Sequence, residues 1–146
     1  MMKEHYSDHL AEQLHSMAIR LLRAVRRVDQ SSGSTAPRLS ALSVVVYNGS
    51  ITLGELAEAE QVRPPTMTRI VNALEKQQLI VKAKDVKDGR VIRIAATTKG
   101  KKLLLQSRAR RIQLLSEQIQ RLKGDEQAKL AAALVTLQSV VEQMRE

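Results

Sequence analysis

A mainly α fold with one small β-hairpin is predicted by three observations. Apolar residues recur at three-and-four spacing along most of the 146 residues. A single pair of β-prone runs, Leu79–Lys84 and Val91–Ala95, flanks an Asp-Gly turn. Directly before that pair stand two short amphipathic segments joined by a tight turn, which places helix, turn, helix and hairpin in immediate succession. The length suits one domain with helical extensions.

The first helix is expected from about Ser7 to Gln30, with Leu10, Leu14, Met17, Leu21 and Val28 on one stripe and Ile19, Leu22 and Val25 widening it. A helix apolar on two sides implies packing between subunits, burial within one chain being the alternative. Ser31–Pro37 is a break rich in turn formers. Arg38–Tyr47 is a compact helix with Leu39, Leu42, Val45 and Val46 as its core side. Asn48-Gly49 ends it, glycine supplying a left-handed cap, and Ile51 is expected to pair as a short strand.

From Thr52 to Gln78 the pattern becomes more specific. Leu53, Leu56 and Ala57 form the apolar face of a short helix, Gln61-Val62 the turn, and Pro64 the first position of the next helix. Met67, Ile70, Val71 and Leu74 then share one stripe. At roughly 100° per residue the opposite face carries Pro65, Thr68, Arg69, Asn72 and Lys76, and reads as free of carboxylates. A helix anchored on one side and presenting donors on the other is what a major-groove reader needs. The alternative is a surface helix with a solvated polar face. The hairpin that follows, with Asp88-Gly89 at its turn and cations at its tip, has the form of a wing. Residues 37–98 are therefore predicted to form a winged helix-turn-helix lobe.

Thr97 or Thr98 is expected to cap a helix over Lys99–Lys123, whose second half carries Ile112, Leu115, Ile119 and Leu122. Gly124 ends it and Asp125 is the expected cap of a last helix bearing Leu130, Leu134, Leu137, Val141 and Met144 on one stripe. Residues 7–36 and 99–146 thus read as N- and C-terminal dimerisation helices. Leu10, Leu14, Met17, Leu130, Leu134, Leu137 and Val141 are the expected contacts about a two-fold axis.

Charge and composition narrow the chemistry. Residues 82–111 hold eleven basic side chains against Asp85 and Asp88, a surplus equal to the net charge of the whole chain, +9. Such a block beside a candidate recognition helix is the footprint of a polyanion binder. With two tyrosines the only aromatic residues, base stacking on a single strand is disfavoured. No segment joins the charge to an amphipathic aromatic face suited to a membrane surface. Duplex DNA fits best. The absence of cysteine excludes disulfides, thiolate nucleophiles and Cys-ligated metals. No apolar run approaches the ~20 residues of a membrane span. The opening MMKEHYSDH lacks the apolar stretch of a secretory signal, so a cytoplasmic protein is expected. No catalytic constellation stands out, and neither enzyme activity nor a cofactor is expected. His5 and His9, one helical turn apart with Asp8 nearby, fall short of a four-ligand site, and no metal is assigned.

The order of elements, with ITLGELAEAEQVRPPTMTRIVNALEKQQLI followed by KDVKDGRVIRIAATTKG, resembles the MarR (multiple antibiotic resistance regulator) family of bacterial winged-helix regulators. The resemblance spans nearly the whole chain and is strongest from Ile51 to Gly100. The family's Asp-x-Arg wing signature falls on Asp88-Gly89-Arg90, and its Leu-Thr-x-x-Gly falls on Ala96-Thr97-Thr98-Lys99-Gly100, with Ala96 replacing the usual leucine. Arg63 stands where the family often has a small polar residue, removing a helix cap and adding a phosphate contact.

What the resemblance implies is a homodimeric transcription regulator, usually a repressor, that binds a pseudo-palindromic double-stranded operator and is released by a small ligand. Arg90 would enter the minor groove and Asp88 would orient Arg90 or a neighbouring arginine. Thr68, Arg69 and Asn72 would face base edges or adjoining phosphates. Arg63, Pro65, Thr66, Lys76, Lys82, Lys84 and Lys87 would lie alongside them, the lysines nearer the phosphate backbone. A small lipophilic or phenolic effector would sit between dimerisation helices and lobe, against Leu14, Met17, Ala18, Leu21, Leu42, Val46 and Tyr47 with His15 or Arg20 as a polar contributor. These are equally good core residues. The family's thiol-based peroxide sensing has no cysteine to use here. The rival functions are a constitutive or architectural DNA binder without effector, and a winged-helix protein-interaction module acting as an antirepressor.

Overall fold

The structure, a computed structural model, describes residues 2–29 and 33–144. In order it comprises α1 (Met2–Asp29), α2 (Ala36–Asn48), β1 (Ile51–Thr52), α3 (Leu53–Ala59), α4 (Pro64–Lys76), β2 (Ile80–Lys84), β3 (Ile92–Ala96), α5 (Thr98–Ile119) and α6 (Gly124–Gln143). Two compact units divide between Arg111 and Ile112. The elements match the expected mainly α fold with a winged helix-turn-helix. Gln30, Ser31 and Ser32, where the first helix was expected to end and the break to begin, lie outside the described residues.

In the first unit the core forms where the apolar faces of α2, α3 and α4 meet the sheet. Leu42, Val45, Leu56, Met67, Val71, Leu74, Ile80 and Ile94 are all buried, and Ile70 and Val46 pack at its edge. Each full truncation of such a leucine costs about 2–5 kcal/mol, enough to hold α4's inner face in place against fraying. The sheet is antiparallel in the order β1-β3-β2. Ile51 pairs with Ile94, and Ile80 with Ala96.

Several boundaries differ from expectation. α2 begins at Ala36 rather than Arg38, and α5 ends at Ile119 rather than Lys123, so that Gly124 opens α6 instead of ending α5. α1 starts at Met2 rather than near Ser7. The return strand is shifted by one residue: the Val91 N–H bonds the Asp88 carbonyl at 2.9 Å, so Val91 closes the turn, and Ala96 joins the ladder opposite Ile80. Finally, Lys123 rather than Asp125 is the N-cap of α6. Its backbone N–H donates to Glu126 Oε2 at 2.9 Å, which places Asp125 in the first turn, where its charge favours the positive end of the helix dipole.

Candidate nucleic-acid interface

The recognition segment is fixed at both ends by local chemistry. Thr52 caps α3 in a capping box: Thr52 Oγ1 accepts from the Glu55 N–H at 3.2 Å, and the Thr52 N–H donates to Glu55 Oε2 at 2.8 Å. The backbone bond from Thr52 holds the Glu55 carboxyl below its ordinary pKa. Gln61, at φ 53, makes the left-handed turn between α3 and α4. Arg63 is the N-cap of α4 without a side-chain cap bond. None is required, because Pro64 and Pro65 have no N–H to satisfy, and the Arg63 carbonyl accepts from Thr66 and Met67 at 2.9 and 3.1 Å. The Arg63 side chain is exposed. At the other end Lys99 Nζ donates to the Gln77 carbonyl at 2.8 Å and Thr97 Oγ1 to the Gln78 carbonyl at 2.7 Å. The start of α5 thereby caps the C-terminus of α4.

The outer face of α4 is presented as expected, with Pro65, Thr66, Thr68, Arg69, Asn72 and Lys76 all exposed. One expectation for it is corrected. Glu75, one turn beyond Asn72, shares that face, so it is not free of carboxylates. Lys82 of β2 meets it there, Nζ lying 2.7 Å from Glu75 Oε2 and 2.7 Å from Asn72 Oδ1. Thr68 Oγ1 donates to the Pro64 carbonyl at 2.9 Å, leaving its oxygen lone pairs and methyl group outward.

The wing is organised by two aspartates. Asp85 Oδ1 accepts from the N–H groups of Lys87 and Asp88 at 2.7 and 3.1 Å, while Asp85 Oδ2 is ion-paired with Arg93 Nε. The Arg93 hydrogen bond, followed by those two N–H groups, holds the Asp85 carboxyl at a pKa of about 2. Arg93 is raised in turn by the same bond. From the sequence Asp85 is counted only as one of the two acids within the basic block. Its two-residue spacing from Lys87, typical of an aspartate that caps its own turn, was the available signal. Asp88 Oδ1 accepts from the N–H and Nε of Arg90 at 3.0 and 3.2 Å, while the Arg90 side chain is 93% exposed. Lys84 and Lys87 are exposed beside it. Lys84, Lys87 and Arg90 thus stand outward on a frame tied together by carboxylates.

The residues expected to line a ligand site are not gathered by this fold into one cavity. Leu14, His15, Met17, Ala18 and Leu21 lie exposed on α1, Leu42 is in the lobe core, Val46 at its edge, and Tyr47 is 91% exposed. A concavity of about 240 Å³ opens instead between the end of α1, α2 and the first part of α5. It is lined by Leu22, Val25, Leu39 and Leu104, with Arg26 and the Asp29–Arg111 ion pair at 3.5 Å. Among the described residues, no group of three or more His, Cys, Asp or Glu gathers to hold a metal ion. No described helix is long and apolar enough to cross a membrane. Of the expected dimer contacts, Leu10, Leu14 and Met17 on α1 are exposed. Within the second unit Leu134 and Val141 are exposed, Leu130 and Leu137 are half-buried, and no residue of α6 is buried.

Comparison with known proteins agrees with this geometry. Residues 34–92 match the MarR family model. The chain is 31% identical over 134 residues to an HTH-type transcriptional regulator of Mycobacterium bovis, covering 92% of this chain and 94% of the relative. Its fold superposes on that of a MarR family protein from Bacillus stearothermophilus with a TM-score of 0.84 at 22% identity, covering 98% of each chain. It also superposes on a mutant of S. aureus MepR bound to an oligodeoxyribonucleotide, with a TM-score of 0.72 at 20% identity, over 90% of this chain and 97% of that one.

Proposed function

The chain belongs to the MarR family of transcriptional regulators, and on that premise we propose that it is a homodimer that binds double-stranded DNA sequence-specifically and represses transcription. The observation that carries the proposal is the pairing of two exposed elements on one frame. The outer face of α4 stands opposite an apolar face on which Met67, Val71 and Leu74 are buried, and the wing beside it projects Arg90. The helix has the form needed to enter a major groove, and the guanidinium suits the negative potential of a narrow minor groove.

The exposed apolar stripes of α1 and α6 support the dimer, since so much unpartnered aliphatic surface calls for a second copy. Two recognition helices about a two-fold axis meet half-sites about 10 bp apart. A dimer seated on a promoter excludes the polymerase, which is the repressor reading. Release by a small lipophilic or phenolic effector rests on the concavity between α1, α2 and α5. Its volume is near the small end of ligand sites, and its aliphatic wall joins a pair of arginines. A ligand there acts by favouring a dimer geometry in which the recognition helices are mis-spaced. Selection of bound duplexes from a random pool tests the proposal. A pseudo-palindrome with half-sites one helical turn apart is expected, and recovery of unenriched DNA would count against it.

A further inference from the structure

Lys82 is the one cation of β2 whose side chain turns back onto the recognition helix instead of standing free. Its ammonium bonds Asn72 Oδ1 and Glu75 Oε2, each at 2.7 Å. A lysine ammonium has three donors and no acceptor, so the amide oxygen of Asn72 must face it and the amide NH2 must face away. Glu75, two-fifths exposed on the same face, keeps its second oxygen as an acceptor, its charge balanced by the ammonium. Thr68 has already given its hydroxyl proton to the Pro64 carbonyl. The centre of the face therefore offers one amide donor beside one carboxylate acceptor, not the free amide edge that pairs with adenine through both its atoms.

We propose that Lys82 is a specificity-determining residue: by holding Asn72 Oδ1 and Glu75 Oε2 together, it fixes the amide donor of Asn72 next to the carboxylate acceptor of Glu75 and so sets which base pair Asn72 reads. In the major groove every base pair shows acceptors and a donor, differing in their order across the groove, so a donor and an acceptor held in fixed places favour one order over the others. With Lys82 on the Asn72 oxygen, the bidentate amide contact to adenine is closed, and recognition falls to the Asn72 donor and the Glu75 acceptor together. Glu75, without Lys82, would repel the phosphate backbone. The inference rests on the reading of the chain as a sequence-specific DNA binder. It assigns to a strand residue a role in base choice without contact to a base.

The test is selection of duplexes from a random pool with the full-length chain, carried out in parallel for the wild type, Asn72→Ala, Lys82→Met and Lys82→Arg, all checked by thermal melting. Asn72→Ala marks the position that the residue reads. The wild type is expected to prefer one base pair at that position about tenfold over the others, one good contact's worth. Lys82→Met is expected to lose the preference at that same position while the rest of the motif persists. Lys82→Arg, which retains the cation and its donors, is expected to keep it. Should Lys82→Met fail to fold, Lys82→Gln takes its place with the same expectation. A neutral variant that keeps the wild-type motif at lower affinity would make Lys82 a phosphate contact and overturn the proposal. So would a wild-type motif with no base preference at the marked position. If the wild type enriches no motif, the DNA-reading function itself fails, and the role of Lys82 fails with it.

Discussion

Asp88 accepts from Arg90 twice, through the backbone N–H at 3.0 Å and through Nε at 3.2 Å, while leaving the rest of the guanidinium in solvent. The carboxylate thus orients the arginine without burying it. Bonds to Nε keep the terminal nitrogens outward, where they are available to a groove.

Arg90→Ala is accordingly expected to weaken binding to the selected duplex on the order of tenfold, to lower the salt slope by about one and to flatten any preference for A/T flanks. Asp88→Ala, which keeps the cation but frees it, is expected to cost about threefold, a fraction of the full contact. Fluorescence anisotropy with labelled duplex checks both. Unchanged affinity in Arg90→Ala would remove the wing from the mechanism.

Much of this frame was legible in the sequence. The three-and-four spacing from Met67 to Leu74, with Pro64 at the helix start, set α4 and its buried face, and the two β-prone runs set the hairpin, although its turn runs from Asp88 to Val91 with Gly89 and Arg90 at the centre. These signals are local, so one stretch of chain suffices to read them. What escaped was the role of Glu75 and Lys82. A helical wheel places Glu75 beside Asn72, but only the packing of β2 against α4 brings an ammonium to both, and that contact joins a strand to a helix across the turn between them, which neither element's periodicity shows. The strand slip at Val91 has a similar origin. Its N–H is taken by the Asp88 carbonyl in the turn, a competition that alternation of side chains does not reveal.

The order of the wing is expected to depend on pH through Asp85. Its folded pKa lies below the ordinary 3.8, at about 2, because the carboxylate accepts from Arg93 and from two N–H groups. Its contribution is therefore complete above 3.8 and is lost as pH falls toward 2. NMR of the Lys87 and Asp88 amides across that range should show the loss. Asp85→Asn is expected to reproduce it at neutral pH, with α4 amides unaffected. Equal protection of the two amides in Asp85→Asn would remove the carboxylate from the wing's design.

Gly100 is packed where a side chain does not fit. A Cβ there would meet the Leu79 carbonyl oxygen and come within 3.3 Å of Leu42 Cδ1. Gly100→Ala is expected to destabilise the lobe by about 1–3 kcal/mol. For a chain of this size that is a fall of roughly 3–10 °C in Tm, read by thermal melting. Thr52→Ala, which removes the cap of α3, is expected to cost about 1 kcal/mol.

The stripe of α6 makes a further expectation. Leu134 is 54% and Val141 45% exposed in the single chain, so Leu134→Asp with Val141→Asp should populate the monomer in sedimentation velocity if these residues close a dimer. A double variant that sediments as the wild type would place the interface elsewhere.

The central claim, a dimer that reads sequence, is tested most directly by titrating the selected duplex and a scrambled duplex of equal length at two salt concentrations. Two chains per duplex are expected, with the selected sequence bound at least about a thousandfold more tightly at the higher salt. Equal affinities for both duplexes, falling steeply together as salt rises, would mean contacts to the phosphate backbone alone and would contradict it.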